Sequence, residues 1–109
     1  MENTTSISTH LHAFLNKNER VQVQLVGNFA YVHAETKGTL FATNERICFY
    51  AHDDSAFLTF DYYEIDAVIL HPDEVIFYNQ GERHILSDIE QGNVEEFNQF
   101  VIDRMQIKS

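Results

Sequence analysis

Gly38-Thr39-Leu40-Phe41-Ala42-Thr43-Asn44-Glu45-Arg46-Ile47-Cys48-Phe49 holds two apolar runs on either side of a two-residue polar link. Thr39–Thr43 and Arg46–Tyr50 read as short strands, and so brief a link makes them antiparallel neighbours. Upstream, Val21, Val23 and Leu25 alternate with Gln22 and Gln24, the period of a strand with one buried and one wet face. Val26-Gly27-Asn28-Phe29 then supplies a Gly-Asn link, a tight-hairpin signal because both residues tolerate positive φ. A second strand returns from Phe29 to Glu35, and the chain turns again at Thr36-Lys37-Gly38.

Downstream the same rhythm continues. A polar loop at His52-Asp53-Asp54-Ser55 precedes a strand from Phe57 to Tyr63, and Ile65–Leu70 follows as another. His71-Pro72-Asp73-Glu74 is a turn in which the fixed φ of Pro fits. Val75–Tyr78 and Arg83–Leu86 form a last hairpin around Asn79-Gln80-Gly81, with Gly81 in the left-handed position of a three-residue loop. The strands together occupy residues 20–87.

Both ends change period. Ile7, Leu11, Phe14 and Leu15 recur at helical spacing, which predicts a short amphipathic helix over 7–17. Near the other end, Asn93 with Glu96 three residues later is an Asn form of the capping box. Val94, Phe97, Phe100, Val101 and Met105 make an apolar stripe through a helix over 93–106, with Glu95 and Glu96 at the favourable end of its dipole. Seven or eight short antiparallel strands in so few residues curl into a small barrel or two orthogonal sheets. The C-terminal helix is the natural plug for one open end.

The 38–49 stretch resembles the signature strand pair of bacterial pleckstrin-homology-like domains of the YokE and GRAM-like type. In those families a Gly opens a strand, a Thr ends it, and an Arg two or three residues later begins the next apolar strand. Phe57-Leu58-Thr59-Phe60-Asp61-Tyr62-Tyr63-Glu64-Ile65 is similar to their strand leading into a Tyr-x-x-Ile step, and the terminal helix sits where theirs does. The resemblance covers residues 15–106. It implies a mainly β, α+β architecture: a PH-like small barrel of two orthogonal antiparallel sheets capped by a C-terminal helix, here with a short N-terminal helix added. The whole of 1–109 then reads as one PH-like domain. Such a fold does not determine function.

Charge narrows the partners. Seventeen acids against seven bases give −10 over 109 residues. Residues 1–50 are neutral, with four of each, so residues 51–109 carry the whole excess with thirteen acids against Arg83, Arg104 and Lys108. Nucleic-acid backbones and anionic membranes need clustered Lys and Arg, and neither is expected here. In the resembled families, lipid recognition in eukaryotic members depends on basic residues around the first hairpin loop. The Val26–Phe29 link has none, so phosphoinositide binding is not carried over. The first residues lack the basic start and apolar run of a signal peptide, and no apolar stretch approaches a bilayer's width. A cytoplasmic protein without membrane insertion is expected.

Catalytic and metal signatures are not found. His10 and His12 are two apart and point to different helix faces, and the remaining His are dispersed. Asp53-Asp54 and Asp73-Glu74 are the evident carboxylate pairs, but turn chemistry accounts for both and neither has the spacing of a calcium loop. Cys48, the only Cys, stands between Ile47 and Phe49 and reads as a packed thiol. No catalytic residue, cofactor or metal is expected, and the chain is not expected to be an enzyme. A non-catalytic protein-interaction module of a bacterial or phage cytoplasm is expected instead, its partner another protein or a second copy of itself. The candidate partner-binding residues are Tyr50, Asp53, Asp54, Tyr63, Asp73, Glu74 and Tyr78, because rigid aromatics beside acids make a protein-binding surface. The rival is an acidic inhibitor, a nucleic-acid mimic that docks residues 51–109 on a basic protein. A small-ligand barrel would require a sizeable polar-lined pocket.

Overall fold

In the computed structural model, which describes residues 15–31 and 34–107, seven strands precede one long helix. They are β1 (Val21–Tyr31), β2 (Ala34–Thr43), β3 (Arg46–Ala51), β4 (Phe57–Asp61), β5 (Ile65–Ile69), β6 (Val75–Asn79) and β7 (Glu82–Gln91), followed by α1 (Val94–Ile107). A 3-10 turn at Tyr62–Glu64 joins β4 to β5. All pairings are antiparallel, in the order β4-β3-β2-β1-β7-β6-β5. The sheet therefore curls into a half-barrel whose two end strands, β4 and β5, are consecutive in sequence but not paired with each other. This is the mainly β architecture, a curled antiparallel sheet followed by a C-terminal helix, that the resemblance implied, formed here by one continuous seven-stranded sheet. The helix expected over 7–17 lies almost wholly outside the described residues, and its last three positions are not helical.

The two first turns expected from Gly27-Asn28 and Thr36-Lys37-Gly38 do not occur. β1 and β2 run straight through them, with Gly27 opposite Gly38 and Asn28 opposite Lys37. Crowding explains why glycine stands at each. A Cβ on Gly27 would sit 2.6 Å from the Ser87 carbonyl of β7, and one on Gly38 would meet the Tyr50 carbonyl and the Phe49 ring. These glycines serve close backbone approach inside strands, not reversal of direction. Three expected strands thus merge into two, and the β1–β2 connection falls at residues 32–33, outside the described residues. β7 also reaches past the expected Leu86 to Gln91, through a bulge that places Asp88 at φ 50°.

The later turns follow their residues more closely. Gly81 is left-handed as expected, but Gln80 is too, at φ 52° beside φ 87°. Asn79 pairs directly with Glu82, so the loop has two residues, a pairing of positive φ values typical of a type I′ turn. At α1, the Glu96 N–H donates to Asn93 Oδ1 at 2.8 Å, which is the expected cap.

The core lies inside the curl. Phe29, Phe49, Phe60 and Phe77 meet there, with Phe29 and Phe49 stacked at 4.5 Å between centroids. α1 closes one side with Phe97 and Val101 fully buried and Val94, Phe100 and Met105 packed around them. A second, smaller cluster joins Phe41, Cys48 and Tyr50 with Leu15 and Phe57 against it. Phe41 and Cys48 alternate with the core-facing Leu40, Ala42, Ile47 and Phe49, so this cluster lies on the opposite face of β2 and β3.

Candidate functional site

The signature strand pair is bound up in a closed polar network. Glu19 accepts from Arg46 Nε at 2.9 Å and Nη2 at 3.1 Å, from Thr43 Oγ1 at 2.6 Å and from the Asn16 N–H at 3.0 Å. Its side chain has no exposure. Burial alone would raise its carboxyl, but the donated hydrogen bonds and the guanidinium charge hold it below the ordinary range. Thr43 Oγ1 also accepts from the backbone of Glu45 and Arg46, which ties the turn shut. The Tyr62 hydroxyl donates to the Thr43 carbonyl, and Arg104 of α1 lies over the Tyr62 ring and donates to the Asn44 carbonyl. The Thr and the Arg of the motif are therefore structural. Tyr62, which is the Tyr of the Tyr-x-x-Ile step, completes the network together with Glu19, and only Glu19 is too ordinary in sequence context to be picked out.

The seven candidate partner-binding residues fall into separate places. Tyr50 is nearly buried, and its hydroxyl donates to Asp54 across the β3–β4 loop; that bond and burial raise its pKa. Asp53 accepts from Ser55 in the same loop, and those hydrogen bonds lower its pKa. Tyr63 is 66% exposed in the 3-10 turn, its pKa raised by the charge of Asp61. Tyr78 is half-buried on β6 opposite Arg83. Asp73 and Glu74 occupy the β5–β6 loop, where they line a cleft of about 570 Å³ against the start of α1. The structure brings Tyr50, near the end of β3, to Asp54 of the β3–β4 loop, and places Asp73 and Glu74 together in the separate β5–β6 loop.

The second of these loops has a continuation that the residue pattern did not single out. The cleft carries four carboxylates, Asp73, Glu74, Asp88 and Glu95, and among the described residues no Lys or Arg lines it. Pro72 and Glu95 also line an adjoining groove of about 450 Å³, formed with Leu70, His71, Asn98 and Ile102. Leu70 is 71% exposed and Ile69 is 45% exposed. Asn98 is only 4% exposed, and its Oδ1 has no hydrogen-bond partner. A signal was present in the sequence: Ile65-Asp66-Ala67-Val68-Ile69-Leu70 ends apolar on both faces, where a strand wet on one side should alternate.

The remaining chemistry-bearing groups are quiet. Burial pushes the Cys48 thiol up to about 12, which keeps it protonated and unreactive. Among the described residues no three of His, Cys, Asp and Glu gather as metal ligands, and no described helix is long and apolar enough to cross a membrane. Lys37 is paired with Glu90 at 2.8 Å, and Arg46 and Arg104 are held in the network above. The Val26–Phe29 segment, expected to be the first hairpin loop, is mid-strand and forms no loop.

Comparison with known proteins follows the fold. A family model described as bacterial PH domain matches residues 15–103. No curated protein matches in sequence. Among solved structures, the C-terminal domain of an unknown protein from Leishmania infantum is similar, with a TM-score of 0.70 at 16% identity over 96% of this chain and 97% of that one. The Vps36 N-terminal PH domain is similar at a TM-score of 0.68 and 14% identity, over 85% of this chain and 83% of that one.

Proposed function

The chain belongs to the bacterial PH domain family, and from that premise we propose that it is a non-catalytic module that binds another polypeptide in a bacterial or phage cytoplasm. The observation that carries this reading is the joined cleft and groove beside α1. Its acids repel a phosphorylated headgroup, while its exposed Leu70 offers apolar contact to a side chain. Charge complementarity selects a basic partner segment and speeds its encounter. Of the seven candidate residues, Asp73 and Glu74 belong to this surface; Tyr50, Asp53, Asp54, Tyr63 and Tyr78 are proposed as secondary contacts outside it.

Two binding assays on the full chain test the proposal. Short displayed peptides selected on it are expected to be enriched in Lys and Arg. Their binding is expected to weaken on neutralising Asp73 and Glu74 and at about 0.5 M salt, where the Debye length falls below ~5 Å. Co-sedimentation with vesicles containing phosphoinositide is expected to be negligible. Strong vesicle binding without any peptide enrichment would overturn the reading.

A further inference from the structure

β2 and β3 carry apolar residues on both faces, and the outer set is sealed. Phe41 and Cys48 have no exposure, and Tyr50 and Thr39 have almost none. Phe41 pairs with Cys48 and Thr39 with Tyr50, so the four side chains form one block on the face turned away from the core. Their neighbours across the strands on that face are open. Gln24, opposite Phe41 on β1, and Thr59, opposite Cys48 on β4, are exposed. A side chain on the outer face of a sheet is shielded only by atoms lying over that face, because its strand neighbours stand beside it.

The β3–β4 loop covers one end of the block. Thr39 Oγ1 lies 2.9 Å from His52 Nε2, and the Tyr50 hydroxyl donates to Asp54. The described side chains packed on the cluster itself are Leu15 and Phe57, and Phe57 belongs to β4. Leu15 is thus the one described apolar side chain brought to the cluster from outside the sheet. A single leucine is too small to seal a phenylalanine ring and the thiol beside it. At the far end, the Asn16 Nδ2 donates to Glu45 at 2.7 Å, and Glu19 holds Thr43 and Arg46. The chain leading into β1 is therefore fastened at the β2–β3 turn, and Leu15 directs what precedes it onto the outer face.

The residues before Leu15 suit that place. Ile7, Leu11 and Phe14 recur at spacings of four and three up to Leu15, and residues 6–16 contain no Asp, Glu, Lys or Arg in a chain of net charge −10. A stretch free of such charge next to a sealed apolar block loses little on burial.

We infer that residues 7–14 form a displaceable strap over the outer face of β2 and β3, seating Ile7, Leu11 and Phe14 on Phe41 and Cys48, and that its release uncovers a second apolar surface. Exposed apolar patches of this kind are association sites, so the strap withholds one surface while the acidic cleft beside α1 stays open.

The test uses the full chain and two independent readings. A benzophenone amino acid replaces Leu11, the chain is irradiated in dilute solution, and crosslinks are located by peptide mass. Crosslinks within one chain to residues 39–50 are expected. Crosslinks to other segments, crosslinks between two chains, or none at all would overturn the strap. Cys48 gives the second reading, because it is the single thiol of the chain. Ile7→Asp and Leu11→Asp combined are expected to speed its labelling by a neutral disulfide reagent about tenfold. The labelling rate is expected to stay level with urea below the unfolding transition, as for a local opening that exposes little surface. Labelling no faster than the parent's, or a rate that climbs with urea in step with global unfolding, would count against a strap that opens by itself.

Discussion

The two ends of α1 meet the same sheet in opposite ways. At its C-terminal end Arg104 covers Tyr62 and bonds the Asn44 carbonyl, beside a turn where Glu19, Thr43 and Arg46 satisfy one another. At its N-terminal end the helix is capped by Asn93, yet it borders a groove with exposed Leu70, and the buried Asn98 oxygen has no partner. Where polar groups are fully paired, the residues hold the fold. Where one is buried and unpaired, it adds nothing to the fold by hydrogen bonding.

The closed end should yield the largest effects. Glu19→Ala leaves the Arg46 guanidinium without its carboxylate and is expected to destabilise the chain by about 3–5 kcal/mol, read as a fall in the urea midpoint. Acid should act in the same sense. Glu19 titrates lower in the folded chain than in the unfolded one, so its contribution is complete above about 4.5 and is lost as pH falls through the folded value. Phe97→Ala empties a fully buried site under the first turn of the helix and is expected to cost ~3–5 kcal/mol as well. A midpoint that did not move in Glu19→Ala would break the contrast between the two ends at once.

His84 sharpens the contrast from inside the core. It too is buried with an unpaired atom, Nδ1, but it is enclosed by Phe29, Phe60 and Phe77 and borders neither the cleft nor the groove. Burial lowers its pKa in the folded chain. As pH falls below about 6.5 the unfolded chain takes up a proton that the folded chain resists, so stability declines through that window. His84→Phe is expected to flatten the stability profile between about pH 7 and pH 5. An unchanged slope would show that enclosure by the rings does not govern its titration. At the helix start, Asn93→Ala is expected to cost only about 1 kcal/mol, the usual magnitude for a lost cap.

These differences also mark what the residues disclose before folding. Period-two alternation, the Asn93–Glu96 pair and the Thr43…Arg46 spacing are local, and each led to the strand, cap or turn now seen. Gly27 and Gly38 misled because a glycine that admits positive φ and a glycine that admits a crossing backbone are the same residue; only the approach of Ser87 and Phe49 tells them apart. The acidic pairs were legible as exposed turn residues, but their division between the β3–β4 and β5–β6 loops depends on sheet order. Asn98 carried no local mark at all. It follows Phe97 on a helix face whose burial arises from strands some twenty to fifty residues away, Ile47, Val68 and Phe77 among them.

The smallest effect on stability is expected at Asn98 itself, and it is the most informative about the open end. Leu matches Asn in shape, so Asn98→Leu keeps the packing against Phe97 and Val101 while removing an acceptor that nothing in the folded chain satisfies. Replacing an unpaired buried polar group by an apolar one of the same shape is nearly neutral or stabilising, here by about 0–1 kcal/mol. The same change at a residue whose bonds hold the fold would lose stability, as at Glu19. A urea midpoint equal to or above that of the parent shows that no bond from Asn98 holds the fold. A clear fall in the midpoint would instead place it among the residues that hold α1 to the sheet, and the two ends of the helix would then differ in degree only.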